Sequence, residues 1–202
     1  EGRFVVGCIS RNQSRKRLDK LIEAFAQFAS AHDDAQLVLK TEPVSEHGYH
    51  LPDLIERYEL KEKVSIIENR NRNWHTEEKL AELFNMFDVY VQTAGAEGFG
   101  MPILEAMSCG VPVIAPDYSA CSELVQGNGL PLKPRFPRIV DLASVEQISV
   151  DTDELADKLD ILYNDHNLRK ELGEKGRAFA LNLTWKHFID RWHEVFSHIQ
   201  WN

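Results

Sequence analysis

The segment DVYVQTAGAEGFGMPILEAMSCGVPVIAP, residues 88–116, carries the clearest structural pattern in the chain. Its first residues, DVYVQT (88–93), form a short apolar run that predicts a buried strand. After a glycine-containing loop, PILEAMSC (102–109) predicts a short helix, because a proline suits the first turn and Gly110 suits the position just past the end. PVIAP (112–116) predicts the next strand. This order of strand, loop, helix and strand is that of a parallel βαβ unit.

The rest of the chain repeats this alternation of short apolar strands and amphipathic helices. Further strands are predicted at 4–9, 36–40, 64–67 and 129–132, and helices at 17–31, 51–60, 76–87, 151–164, 166–181 and 184–199. The pattern predicts the α/β class, with a doubly wound parallel sheet of about six strands. Residues 133–150 show no clear periodicity, and we expect a loop or an insertion there.

Composition narrows the class of protein. The chain has 202 residues, 43% of them apolar and 27% charged, as in a globular protein of one large domain or two small ones. A net charge of -9 argues against general nucleic-acid binding, and no apolar run is long enough to cross a membrane. The three cysteines are far apart, so we expect reduced, buried thiols in a cytoplasmic protein. Since the first strand begins at Phe4, we expect an excised domain or the second half of a longer protein.

The loop and helix start inside 88–116 predict an anion site. The first N–H groups of a helix have no partner within it, and glycines such as Gly98 and Gly100 allow a ligand to approach the backbone. Glu97 and Glu105 are unusual neighbours for a phosphate, unless they accept hydrogen bonds from sugar or ribose hydroxyls. Carboxylates near a helix start also complement the helix dipole, so spacing alone supports a site and a structural role about equally.

A basic loop follows the first predicted strand. It contains Arg11, Arg15, Lys16 and Arg17, and the carboxyl ends of parallel strands bring it to the same sheet edge as the glycine loop. Its cations could neutralise phosphates. The alternatives are a solvated surface loop or a targeting or nucleic-acid patch, which the acidic remainder disfavours. The only nearby glycine is Gly7, so a GxGxxG dinucleotide site is poorly supported.

Two motifs together resemble a known family. EGFGMPILE matches an E-x7-E motif at Glu97 and Glu105, and SRNQSRK has Arg11 followed five residues later by Lys16, ahead of LIEAF (21–25). These residues resemble the C-terminal, donor-binding domain of the GT4-type retaining glycosyltransferases, also called glycosyl transferases group 1. The resemblance covers essentially all of residues 1–202 and implies one Rossmann-like half of a GT-B fold.

The resemblance implies roles for particular residues. Arg11 and Lys16 would bind the diphosphate of a nucleotide sugar, Glu97 would contact the transferred sugar, and Glu105 would bind the ribose. The remaining donor-binding residues, mainly through backbone N–H groups, would be Gly98, Phe99, Gly100, Met101, Pro102, Ile103 and Leu104. The loop NRNRNWH (69–75) corresponds to the region that contacts the base.

The resemblance also implies partners. We expect a nucleotide sugar as donor, no metal or other cofactor, and an acceptor that is a glycan, a lipid-linked molecule or a small molecule. An N-terminal domain of the same protein would bind the acceptor and pack on the last helix, 184–199, although Trp185 and Trp192 could instead belong to this domain's own core. The isolated chain would transfer little sugar.

Two other functions and two locations stay open. The alternatives to a transferase are a non-catalytic nucleotide-sugar-binding module and a nucleotide-sugar epimerase-like protein. The expected location is cytoplasmic, and peripheral membrane attachment through the absent part is the alternative.

Overall fold

The computed structural model describes residues 2–68, 76–140 and 145–199, with side chains omitted for 136–140. Its elements, in chain order, are β1 (Phe4–Ile9), α1 (Leu18–Ala29), β2 (Ala35–Lys40), α2 (Leu51–Arg57), β3 (Val64–Ile67), α3 (Glu77–Phe84), β4 (Val89–Val91), α4 (Met101–Ser108), β5 (Val113–Pro116), α5 (Ala120–Val125), β6 (Leu130–Leu132), β7 (Pro134–Val140), β8 (Glu146–Val150), α6 (Thr152–Asn164), α7 (His166–Ala180) and α8 (Trp185–Ser197). Strands and helices alternate from β1 to β6, as the sequence predicts except for α5, which it did not indicate.

The main sheet has six parallel strands in the order β3-β2-β1-β4-β5-β6. The chain builds outward from β1 in one direction, returns to pair β4 with β1, and then builds outward in the other direction. Val6 of β1 therefore lies between Leu37 of β2 and Val89 of β4. This confirms the predicted doubly wound sheet. Ligands of such sheets bind where the strand order reverses, at the carboxyl ends of the strands.

Each face of the sheet has its own apolar core, because successive side chains of a strand point to opposite sides. In β4, Val89 and Val91 pack in the cluster formed with α1, α2 and α6, while Tyr90 packs in the cluster formed with α3, α4 and α5. All three side chains are fully buried. The central strands are therefore apolar without interruption, which is why short continuous runs predicted them correctly.

Of the two expectations for 133–150, a loop or an insertion, the loop was wrong. The segment forms an antiparallel hairpin in which Pro134 pairs with Val150. A register shift between Arg135 and Ile139 interrupts the hydrogen bonding between the two strands. Side chains on either side of the shift no longer alternate regularly between the two faces, so the sequence lacks the two-residue period of a strand. Ile148 of β8 is fully buried, and its N–H donates a hydrogen bond to the carbonyl of Gly95 at 3.0 Å. The hairpin thus supports the glycine loop.

The last helix lies on the surface. Thr184 caps α8 by accepting a hydrogen bond from the N–H of His187, and none of the helix residues, all of which are described, is buried. Trp185 is 82% exposed and Trp192 is 57% exposed, so the alternative that these aromatics form the domain's own core was wrong. Within the described ranges, the helices lack the combination of length and apolar character that a membrane span requires.

The cysteines are free thiols in two environments. Cys8 and Cys121 are buried, and burial raises the pKa of each to about 12. Cys109 is only half-buried, which corrects the expectation that all three would be buried. Cys8 and Cys121 therefore remain protonated at neutral pH and pack as small apolar side chains.

Candidate functional site

The basic loop and the glycine loop lie side by side because β1 and β4 are neighbours in the sheet. The N–H of Gly95 donates to the carbonyl of Arg15 at 2.8 Å. The hydroxyl of Thr93 is within 3.0 Å of the carbonyls of Lys16 and Arg17. The backbone therefore fixes the position of the two loops relative to each other, although they are far apart in sequence.

A cleft with a volume of about 370 Å³ opens between the loop after β1 and the start of α4. Its lining comprises Ile9, Ser10, Arg11, Gln13, Arg15, Lys16, Lys40, Glu42 and Pro102. The structure thus brings Arg11 and Lys16 together with Pro102 of the helix start. Burial lowers the pKa of Lys40, which lies at the carboxyl end of β2. Four cationic side chains and one carboxylate line the cleft, and this balance suits a multiply charged anion.

The carboxylate of Glu97 is surrounded by donors. Arg15 Nη1 lies 3.0 Å from Oε2, Lys16 Nζ forms an ion pair with Oε1, and Gln92 Nε2 donates to Oε1 at 2.8 Å. The side chain of Glu97 is 10% exposed and that of Lys16 is 13% exposed. Each oxygen of Glu97 therefore contacts a cation in this structure. The sequence had assigned Lys16 and Glu97 to different parts of a ligand, and the structure pairs them directly.

Buried Tyr90 determines the orientation of Gln92. The Tyr90 hydroxyl lies 3.2 Å from the side-chain oxygen of Gln92 and 3.2 Å from the carbonyl of Ile9. Burial raises the pKa of Tyr90 well above its ordinary value, so the hydroxyl keeps its proton. With its oxygen facing Tyr90, the Gln92 amide directs its nitrogen at Glu97.

The backbone of Glu97 is fixed by the loop after β5. The N–H of Glu97 donates to Ser119 Oγ at 2.9 Å, and the N–H of Ala120 donates to the carbonyl of Glu97 at 3.4 Å. Ser119 adopts φ 52° and ψ −149°, a conformation that favours glycine and is costly for serine. Such strain persists where the surrounding structure holds the residue in place, and it is common at binding sites.

The start of α4 offers fewer free amides than the sequence suggested. Gly100 has φ 94°, and its carbonyl accepts hydrogen bonds from Ile103 N–H at 2.9 Å and Leu104 N–H at 3.4 Å. Pro102 has no N–H, and the Ile103 side chain is fully buried. The predicted backbone donors that make no hydrogen bond with another described residue are those of Gly98, Phe99, Gly100 and Met101.

Glu105 has a different environment from Glu97. It is half-buried, and burial raises the pKa of its carboxyl. It faces an apolar groove of about 490 Å³ between α4 and α8, lined by Phe99, Met101, Leu104, Glu105, Ser108, Leu183, Trp185, Phe188, Ile189 and Trp192. Neither glutamate lines the cationic cleft, but Glu97 pairs with Arg15 and Lys16, which do.

The sequence analysis missed three contacts of Glu97: those of Arg15, Gln92 and Ser119. Arg15 was noted only as one of several loop cations. Gln92 had a detectable signal, since a polar side chain at the end of a buried apolar strand needs a hydrogen-bond partner. Ser119 had no signal beyond its place in a loop after a strand. The loop predicted to contact a base, 69–75, lies outside the described residues. Within the described ranges, no three His, Cys, Asp or Glu side chains cluster as metal ligands.

Comparisons with known proteins identify the family and the fold. Residues 1–179 match the family model described as glycosyl transferases group 1. An uncharacterized glycosyltransferase of Methanocaldococcus jannaschii is 29% identical over 147 residues, which are 72% of this chain and 37% of that protein. This chain therefore spans less than half of that relative.

Two solved structures share the fold. One is the C-terminal domain of a glycosyl transferase group 1 family protein from Francisella tularensis, with a TM-score of 0.71, 22% identity, and coverage of 89% of this chain and 85% of that one. The other is HepE of Anabaena in complex with UDP-glucose, with a TM-score of 0.77, 24% identity, and coverage of 98% of this chain and 50% of that one. At this identity the likeness shows a common fold.

Proposed function

Because the chain belongs to the glycosyl transferases group 1 family, we propose that it is the half of a glycosyltransferase that binds the nucleotide-sugar donor. The observation that carries this proposal is the cationic cleft, in which Arg11 and Lys16 meet the start of α4. The donor's diphosphate binds in that cleft. The complete protein transfers the sugar to an acceptor, which is a glycan, a lipid-linked molecule or a small molecule.

The cleft supplies the electrostatics that sugar transfer needs. Breaking the bond between sugar and phosphate builds negative charge on the departing diphosphate. Arg11, Lys16 and the positive end of α4 stabilise that charge, and the backbone N–H groups of Gly98 to Met101 are available as further donors. These groups are held in place before the reaction, which makes them more effective than mobile water. No step of this proposal uses a metal ion.

Glu97 binds the transferred sugar and is not a nucleophile. A carboxylate held by Arg15 at one oxygen and by Gln92 at the other is a weak nucleophile, yet it still accepts hydrogen bonds from sugar hydroxyls. Following the resemblance to retaining enzymes, we propose transfer with retention, in which the acceptor hydroxyl attacks from the face that the diphosphate leaves. The diphosphate takes the hydroxyl's proton as its own bond to the sugar breaks. The anomeric configuration of the product, measured by NMR on the complete protein, tests this step, and an inverted product would contradict it.

The exposed face of α8 receives the other half of the protein. Its apolar side chains lie uncovered beside the groove that contains Glu105, so an adjoining domain would bury apolar surface there. In this arrangement the donor lies between the two halves, and Glu105 binds the ribose. The free thiols agree with a reducing compartment such as the cytoplasm.

Calorimetric titration of this chain tests donor binding. UDP, GDP, ADP and their sugars are the ligands, and UDP comes first because the Anabaena neighbour was solved with UDP-glucose. We expect weak binding of at least one nucleoside diphosphate. Lys16→Ala should weaken that binding by about 1.5–3 kcal/mol, because a charge-assisted hydrogen bond is lost.

The matched control for this titration is Lys61→Ala. Lys61 is exposed, pairs only with Glu56, and precedes β3 at the opposite end of the sheet. Its removal should leave affinity unchanged. If no nucleoside diphosphate binds at millimolar concentration, the proposed function is wrong. If Lys16→Ala binds as tightly as the unaltered chain, Lys16 is not part of the donor site.

A further inference from the structure

Arg15 contacts three consecutive residues of the glycine loop. Its carbonyl accepts the N–H of Gly95 at 2.8 Å, and its Nη1 bonds both the carbonyl of Ala96 and, at 3.0 Å, Oε2 of Glu97. The Arg15 side chain is 32% exposed, whereas Glu97 is 10% exposed. Arg15 thus acts on the loop that carries Glu97 through both its backbone and its guanidinium.

We propose that Arg15 is a positioning residue, which keeps Glu97 paired with a cation and in place while Lys16 moves from Glu97 to the donor's diphosphate. This inference rests on the proposed function, since it concerns the same cleft. Before the donor binds, Lys16 is paired with Glu97. When the diphosphate binds, Lys16 pairs with it instead, and Arg15 makes this change of partner possible. The diphosphate and Glu97 then each have their own cation.

The reason for two cations lies in the burial of Glu97. A nearly buried carboxylate is poorly solvated by water, so removal of its cation leaves an uncompensated charge at high cost. If Lys16 were its only cation, a diphosphate could recruit Lys16 only by creating such a charge. With Arg15 on the other oxygen, Glu97 remains paired after Lys16 has moved.

The two cations differ in ways that suit these roles. Arginine presents a planar set of donors and is always charged, so it can bond a carbonyl and a carboxylate together, as Arg15 does. Lysine has a compact charge on a flexible stem and can redirect it. Lys16 forms one ion pair to Glu97 and also lines the cleft. Arg15 is therefore the fixed cation and Lys16 the mobile one.

Gln92 completes the arrangement at the oxygen that Lys16 leaves. Its Nε2 donates to Oε1 of Glu97 at 2.8 Å, the same oxygen that Lys16 contacts. Buried Tyr90 fixes the orientation of this amide. After the exchange, Oε1 keeps the Gln92 hydrogen bond and Oε2 keeps Arg15, so neither oxygen loses all of its partners.

The competing role for Arg15 is direct binding of the diphosphate, since it also lines the cleft. A double-mutant cycle separates the two roles. The variants are Arg15→Met, Glu97→Gln and the two combined, and the measurement is UDP affinity by calorimetry. Arg15→Met in the unaltered chain should weaken UDP binding about tenfold or more, because Lys16 can no longer leave Glu97 without leaving it unpaired.

In the Glu97→Gln background the same substitution should cost less than about threefold, because no buried carboxylate needs compensation. Glu97→Gln alone should tighten UDP binding, since Lys16 is free for the diphosphate. Circular dichroism checks that each variant folds, and Arg15→Gln replaces Arg15→Met in the cycle should that variant fail to fold.

The cycle distinguishes the positioning role of Arg15 from direct binding of the diphosphate and from no role at all. An equal loss in both backgrounds would mean that Arg15 binds the diphosphate directly, and no loss in either would mean that it has no part in binding. Either result overturns this inference and leaves the proposed function standing. If UDP, GDP and ADP all fail to bind the unaltered chain, both proposals fall together.

Discussion

Glu97 and Glu105 are chemically identical side chains in opposite environments. Glu97 has two cations and an amide as partners, whereas Glu105 faces an apolar groove, where burial raises the pKa of its carboxyl. Burial without a cation disfavours the charged form of a carboxylate. The anionic form of Glu105 is thus destabilised in the folded chain, whereas Glu97 is paired with cations.

This difference predicts the effect of Glu105→Gln on stability. Because the folded chain raises the pKa of Glu105, the unfolded chain releases this proton at lower pH, and stability falls as pH rises through that interval and remains lowered at neutral pH. Glutamine removes the charge, so the variant should have a larger free energy of unfolding at pH 7. The gain should vanish well below the ordinary glutamate pKa of about 4.3. Urea unfolding at the two pH values measures it.

The same variant should bind nucleoside diphosphates more weakly, by about 1–3 kcal/mol, if the Glu105 carboxylate accepts ribose hydroxyls. Glu82→Gln, at an exposed position of α3, is the control and should change neither property. A Glu105→Gln chain that is less stable than the original at pH 7 would contradict the assigned environment. If Glu105 binds the ribose, Glu105→Gln should raise the stability of the chain and at the same time weaken ligand binding, since a buried charge kept for binding lowers stability.

At the scale of elements, the site depends on close contact between helices and loops. The hairpin β7–β8 supports the glycine loop through Ile148, and the loop after β5 supports it through Ser119. Behind α4, helix α7 packs so closely that a Cβ on Gly173 would lie 2.2 Å from the carbonyl oxygen of Gly110. That oxygen belongs to the backbone and cannot rotate away.

Gly173→Ala should therefore destabilise the chain by about 1–3 kcal/mol, as overpacking in a close-packed interior does. Thermal or urea unfolding measures the loss. Gly176→Ala on the same helix is the matched control, since its Cβ would approach the flexible Met107 side chain at 3.0 Å, which can adjust. We expect a smaller effect for it. Equal effects at both positions would show that the contact with the Gly110 carbonyl does not determine the cost.

At the scale of the whole molecule, the strand order places the site and leaves one face uncovered. Because β1 and β4 are neighbours, the loops after them meet at the carboxyl edge of the sheet. Helix α8 lies beyond the two cores, with its apolar side chains exposed. An exposed apolar face of this kind marks an interaction surface.

The exposure of α8 predicts that its aromatics contribute little to the stability of this chain. Trp185→Lys combined with Trp192→Lys should change the free energy of unfolding by less than about 1 kcal/mol. Leu162→Ala, at a fully buried position of α6, is the contrast and should cost about 2–5 kcal/mol. Urea denaturation compares the two. A large loss in the double variant would mean that α8 belongs to the domain's own core.

The sequence by itself determined the six strands of the main sheet and the position of the glycine loop. Strand periodicity and turn residues act within a few positions along the chain, so the βαβ pattern of 88–116 was predictable without tertiary information. The family followed from the same local motifs, and the match over residues 1–179 confirmed it. The hairpin escaped prediction because its register shift removed the local signal.

Only the tertiary structure decided how the site is assembled. Arg15 and Glu97 are 82 residues apart, and they meet because the strand order places β1 beside β4, which no local pattern encodes. The same folding places Glu105 at the apolar groove, although only eight residues separate it from Glu97, which pairs with two cations of the cleft. Which charged groups pair depends on distances between elements, and those distances exist only once the sheet has formed.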